Sequence, residues 1–160
     1  MRTARNWLDE YSLNHRNTVN QRLHFVCIPV IVFSILCGLK AIPVGDAALN
    51  PASVVLVAAL VYYAALSRRL ALGLLVILGV FYAGVLALET TLGARLVWAA
   101  AGLFLAGWIG QFVGHVVERA RPSFFKDLQF LLIGPMWELA RLYEALGIAI
   151  EGRTGTAQPG

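Results

Sequence analysis

LVWAAAGLFLAGWIGQFVGHVV, residues 96–117, is the stretch whose reading decides the fold. These 22 residues contain no Asp, Glu, Lys or Arg, and charge returns at once on either side as Arg95 and Glu118-Arg119. At about 1.5 Å per residue, such a run crosses a ~30 Å hydrocarbon layer as a helix. A helix at the surface of a soluble protein would carry a charged face at helical spacing, and this one has none.

Working outward, residues 19–39, 47–66 and 70–88 read the same way. The composition agrees. The 160-residue chain is 59% hydrophobic and 14% charged, whereas a soluble domain carries about a quarter charged residues. The expectation is all-α: a polytopic membrane helical bundle of about four transmembrane helices, with interfacial or re-entrant helices at its C-terminal end. It forms one membrane-embedded domain over residues 1–150, and residues 151–160 form a disordered tail.

Local signals mark the joints. Asn17-Thr18 caps the first span, and Pro29 kinks it. KAIPVGDAALNP, residues 40–51, is turn-rich, Ser67-Arg68-Arg69 is a tight basic loop, and residues 89–95 form another. Residues 1–17 are too polar for a cleavable signal peptide, so targeting falls to the first span. They predict a short surface helix with Trp7 and Tyr11 as interfacial aromatics. Beyond the fourth span, FLLIGPMW (130–137) is too short to cross, and Gly134-Pro135 should break it. An amphipathic helix over residues 136–146 should follow, with Glu138 and Glu144 on its solvated face.

Counting Lys and Arg orients the bundle. With the N-terminus inside, the inner segments hold Arg2, Arg5, Arg16, Arg22, Arg68, Arg69, Arg119, Arg121, Lys126, Arg141 and Arg153, and the outer loops hold Lys40 and Arg95. Eleven against two places both termini in the cytoplasm. The 11 arginines against 2 lysines suit a GC-rich bacterial genome, hence an inner-membrane location. The net charge of +4 sits beside apolar runs rather than in a patch with interleaved aromatics, which argues against nucleic acid. Membrane lipid is the expected partner, and a homo-oligomer is compatible with the sequence. Cys27 and Cys37 lie about 15 Å apart on one helix and cannot pair there.

Three histidines need explaining: His15, His24 and His115. An ionisable residue within a span is costly and marks a functional site by default. By the topology above, all three lie near the cytoplasmic side. Spacing of three and four groups Trp108, Gln111, His115 and Glu118 on one face, and Asn17, Asn20 and His24 on another. His15 and His24 are nine residues apart and would point in opposite directions on a continuous helix. To meet, they need a chain break, which Asn17 as a cap would supply. The three imidazoles and the Glu118 carboxylate are candidate ligands for iron or zinc. Asn20 and Gln111 are candidates to orient a ligand histidine from behind. The competing reading is that the histidines only bridge helices by hydrogen bonds.

YSLNHRNTVNQRLHFVCIPV (11–30), QFVGHVVERARPSF (111–124) and FLLIGPMWELARL (130–142) resemble the membrane-embedded 2-hydroxy fatty-acid dioxygenase family. The resemblance spans about residues 5–148, though the middle spans match in hydropathy only. It implies an Fe(2+)-dependent α-oxidation, in which a 2-hydroxy fatty acid and dioxygen give a fatty acid shorter by one carbon. It carries the family's histidines onto His15, His24 and His115. An α-hydroxy carboxylate can chelate a metal through its hydroxyl and one carboxylate oxygen, and a helical bundle offers apolar space for the acyl chain. Arg16, Arg22, Arg119 and Arg121 are candidates to hold the carboxylate. A zinc-dependent membrane lipid hydrolase and a non-enzymatic membrane protein with structural histidines stay open as alternatives.

Overall fold

A computed structural model describes residues 2–46, 48–120 and 129–150. The described residues form six α-helices, α1 (Ala4–Leu13), α2 (Thr18–Lys40), α3 (Pro51–Leu66), α4 (Arg68–Leu92), α5 (Leu96–Glu118) and α6 (Phe130–Ala145), with a 3-10 turn at Gly93–Arg95. None of them forms a strand. Arg121 and the tail 151–160 lie outside the described residues, as does the start of the second expected span at residue 47.

Two continuous helical stretches are long and apolar enough to cross a membrane: Thr18–Lys40 and Arg68–Glu118, the second containing α4, the 3-10 turn and α5. Gly93, with φ of +52°, breaks that second stretch at a backbone angle that favours glycine. α3 is equally apolar but, at 16 residues, is about 24 Å long. It starts at Pro51 rather than near residue 47 because Asn50 caps it. The Asn50 side chain accepts from Ala52 N and Ser53 N, and Pro51 needs no partner at the first helical position.

The bundle turns apolar side chains outward at helical spacing. Leu72, Val76 and Val80 on α4 stand exposed four residues apart, as do Leu105, Ile109 and Val113 on α5. Val76 is 66% and Ile109 64% exposed. Soluble proteins rarely present contiguous apolar belts of this extent, whereas lipid tails satisfy them.

α2 and α5 form the closest pair and run antiparallel, with small residues at the contact. A Cβ at Gly107 would lie 2.6 Å from Ile31 Cγ1, one at Gly110 would meet Cys27 Sγ, and one at Gly114 would meet Asn20 Oδ1. Glycine at these positions lets the backbones approach, which is how helices associate where burial from water supplies no drive. Both cysteines are buried and free, as their spacing required. At the end of the bundle where α2 finishes and α5 begins, Leu36, Cys37, Ala52, Val85, Leu96 and Ala100 pack together, and Lys40 pairs with Glu89 at 2.7 Å.

The C-terminal segment departs from the sequence expectation. α6 runs without interruption from Phe130 through Gly134-Pro135. Pro135 removes an intrahelical donor and pushes the preceding carbonyls outward. Tyr63 of α3 donates its hydroxyl to Leu132 O, in the turn before the proline, at 2.9 Å. α6 is not a half-solvated helix either. Ile133, Met136, Trp137 and Leu139 are buried, and so is Glu138, expected on the wet face, while Glu144 is exposed. Burial raises the Glu138 carboxyl to about 9.

α1 is a correction of the same kind. Trp7 and Tyr11 are buried against α6 rather than set in a lipid interface, with the Trp7 and Phe130 rings edge to face at 5.3 Å. α1 and α6 thereby clamp the end of the bundle where α2 begins and α5 ends.

Candidate metal centre

The chain break that the three-histidine reading requires is present. α1 ends at Leu13, α2 begins at Thr18, and Asn17 caps α2 by accepting from Val19 N at 2.8 Å. The four residues between the helices turn His15 back over the first turns of α2. His15 then faces His24 of α2 and His115 of α5.

All three rings are buried, and one ligand nitrogen from each lies within 4.8 Å of the others. Ring centroids are 4.5 Å apart for His15–His24, 5.1 Å for His15–His115 and 5.0 Å for His24–His115. The histidines meet edge to face, with interplanar angles of 72–82°. The rings are steeply inclined to one another rather than stacked, and one nitrogen of each falls in a common space.

The hydrogen bonds determine the tautomers. His15 Nδ1 is 2.6 Å from Tyr11 O, and His24 Nδ1 is 2.9 Å from Asn20 O. A carbonyl oxygen only accepts, so each Nδ1 carries the proton and donates it. Both Nε2 atoms then present lone pairs to one another, across 3.0 Å. Two acceptors at that separation repel unless a cation lies between or beside them. A proton would serve only by making a buried imidazolium, and burial lowers the His15 pKa, against the pull of Tyr11 O and Glu118. His115 adds a buried Nδ1 with no hydrogen-bond partner. Three neutral imidazoles with convergent lone pairs fit a divalent transition metal, and the group could hold a metal ion.

The support is built from backbone more than from side chains. Tyr11 stacks on His15 at 4.1 Å and an interplanar angle of 6°, so one residue both seats the ring and fixes its tautomer. Gln21 donates to His15 O at 2.6 Å and accepts from Arg141 at 3.1 Å. Trp137 packs 5.5 Å from the His15 ring and donates its indole N–H to Ser12 Oγ at 2.9 Å. Tyr11, Gln21, Trp137 and Arg141 were not among the residues singled out from sequence as supports. Only Tyr11 carried a usable signal there, lying one helical turn before His15.

Glu118 lies outside the three-histidine group. Its Oε1 accepts from Arg16 N at 2.9 Å, and its Oε2 accepts from Asn17 N at 2.8 Å and Asn20 Nδ2 at 3.1 Å. It thus sits at the N-terminal, positive end of α2 and ties the histidine-bearing turn to α5. Asn20 faces His24 through its backbone carbonyl, and its side chain serves Glu118. Gln111 is buried one turn before His115, and its Nε2 has no hydrogen-bond partner. Arg16, Arg22 and Arg119 are exposed, and none lines the cavity described next.

That cavity, of about 240 Å³, opens from His24 and His115 into the bundle. Apart from Gln111 and Tyr11 its remaining walls are largely apolar, with Ile28, Ile31 and Ile35 from α2 and Phe104 and Trp108 from α5. Metal donors at one end and a hydrocarbon-lined space at the other suit a lipid with a polar head.

Residues 1–146 match a family described as 2-hydroxy-palmitic acid dioxygenase Mpo1-like. The chain is similar to 2-hydroxy-palmitic acid dioxygenase MPO1 of Saccharomyces cerevisiae, 32% identical over 151 residues that cover 89% of this chain and 81% of the yeast protein. No solved structure matches it.

Proposed function

The chain belongs to the 2-hydroxy-palmitic acid dioxygenase Mpo1-like family, and on that premise we propose that it is an Fe(2+)-dependent dioxygenase of 2-hydroxy fatty acids. The reaction is R–CH(OH)–COOH + O2 → R–COOH + CO2 + H2O. It balances in atoms, and dioxygen takes up all four electrons lost by C1 and C2, so no separate reductant is needed. The observation that carries the reading is the pair of Nε2 atoms of His15 and His24, 3.0 Å apart with His115 beside them, while each Nδ1 faces a backbone carbonyl.

His15, His24 and His115 hold the metal as neutral donors. When bound, Fe(2+) supplies coordination of the α-hydroxy carboxylate and electron transfer to dioxygen. Tyr11 O and Asn20 O keep the Nδ1 protons of His15 and His24 in place, so the lone pairs stay aimed inward. Glu118 acts through the Arg16–Asn17 turn, holding His15 in register with His115 rather than serving as a fourth ligand. The apolar walls take the acyl chain and exclude water from the reacting carbons. Arg16, Arg22 and Arg119 attract anionic lipid heads to the cytoplasmic rim. The helices make four crossings, α2 to α5, with the centre and both termini at the cytoplasmic face of a bacterial inner membrane.

Protein purified under nitrogen should contain about one iron per chain, and 2-hydroxyhexadecanoate with air should yield pentadecanoate. His115→Ala should lose both iron and product. Iron-free protein, or a His115→Ala variant with full turnover, would sink the proposal. Turnover persisting without oxygen would favour a zinc hydrolase built on the same ligands.

A further inference from the structure

Gln111 poses a problem that the three histidines do not solve. It is 6% exposed, and its amide Nε2 is buried with no hydrogen-bond partner. A buried donor left unmade bears the desolvation cost of its group with nothing to offset it. Gln111 lines the cavity together with His24 and His115, one helical turn from the latter. Orienting a histidine N–H would use the amide oxygen of Gln111 and would leave this donor unspent all the same.

A second donor faces the same space from another element. Tyr11 lines the cavity, and its hydroxyl lies near Gly134, which lines it too; a Cβ added at Gly134 would be 3.3 Å from that oxygen. The backbone and ring of Tyr11 are both engaged by His15, and its hydroxyl projects beyond them toward Gly134. A phenol hydroxyl is an O–H donor at neutral pH. Two uncharged donors, from α1 and α5, therefore flank the metal-donor end of a cavity that is otherwise apolar.

We propose that Gln111 Nε2 and the Tyr11 hydroxyl form the subsite that recognises the carboxylate of the 2-hydroxy acid, holding it against the three-histidine centre. The proposal rests on the dioxygenase reading and deepens it. Neutral donors suit this place: they stabilise a carboxylate in a low-dielectric cavity without the cost of burying an unpaired cation. They also explain why the arginines stay exposed: substrate charge is met inside by hydrogen bonds and metal rather than by guanidinium.

Binding can be measured under nitrogen, without turnover, on iron-loaded full-length protein in detergent. The probes are 2-hydroxyhexadecanoate and hexadecane-1,2-diol, which keeps the chain and hydroxyl but lacks the carboxylate. Gln111→Met should retain iron, bind the acid roughly tenfold to a hundredfold more weakly, and bind the diol as wild type does. Tyr11→Phe, which keeps the ring on His15, should show the same selective loss at smaller size. Either variant binding the acid at wild-type strength would remove that residue from the subsite. An equal loss of acid and diol in both variants would overturn the proposal, because it would mean a general packing defect. Wild-type protein that holds iron but binds no acid would overturn the dioxygenase reading along with it. Selective failure of the variants to differ, with wild-type binding and turnover intact, would overturn only the subsite.

Discussion

Glu118 shows how little a residue's type says about its job. From sequence it is the carboxylate of a His-x-x-Glu pair and a natural ligand candidate. In the fold its two oxygens accept from Arg16 N, Asn17 N and Asn20 Nδ2, which makes it the clasp between the His15 turn and the end of α5. The two roles separate experimentally. Glu118→Gln keeps a neutral acceptor and should retain most of the bound iron, whereas Glu118→Ala strands the donors and should weaken metal binding by about 10–100-fold. Equal and complete metal loss in both variants, read by elemental analysis, would restore Glu118 as a ligand. The histidines behaved differently. Their cost within a membrane marks them from sequence, but the tautomers follow from two backbone carbonyls that no residue pattern announces.

The α2–α5 pair does the positioning. Gly107, Gly110 and Gly114 bring the helices close enough for His24 and His115 to share one centre, and this face is apolar and easily passed over beside the polar stripe. Gly107→Leu should force Ile31 and the Cys27 carbonyl away, costing about 1–3 kcal/mol. Its melting temperature in detergent should fall, and its iron content with it. Gly102→Leu is the control, because nothing lies within 4 Å of a Cβ there. A Gly107→Leu protein that melts and binds iron like wild type would remove close approach as the organising feature. α6 teaches a related lesson about punctuation. Gly134-Pro135 reads as a break, yet the helix runs through it, with Tyr63, 69 residues away in sequence, donating to Leu132 O in the turn before the proline. A local breaker signal cannot include a distant donor.

At the scale of the whole molecule, orientation is the property to test. With the centre at the cytoplasmic face, a cysteine at Asp46 in the α2–α3 connection should react with an impermeant maleimide on intact cells, and one at Arg68 should not. Cys27 and Cys37 are buried and should stay silent. The reverse labelling pattern would invert the proposed topology. The sequence by itself determined that the chain is helical and apolar enough for a membrane, where its main helices lie to within a few residues, and which three histidines stand out as costly to bury there. Those conclusions rest on composition, periodicity and desolvation cost, which act locally along the chain. Only the tertiary structure decided that Trp7, Tyr11 and Glu138 are buried, that Glu118 binds backbone amides, and that Gln111 keeps a free donor in the cavity. Each of these depends on which group another helix brings within hydrogen-bonding distance, and that is a property of packing rather than of any segment.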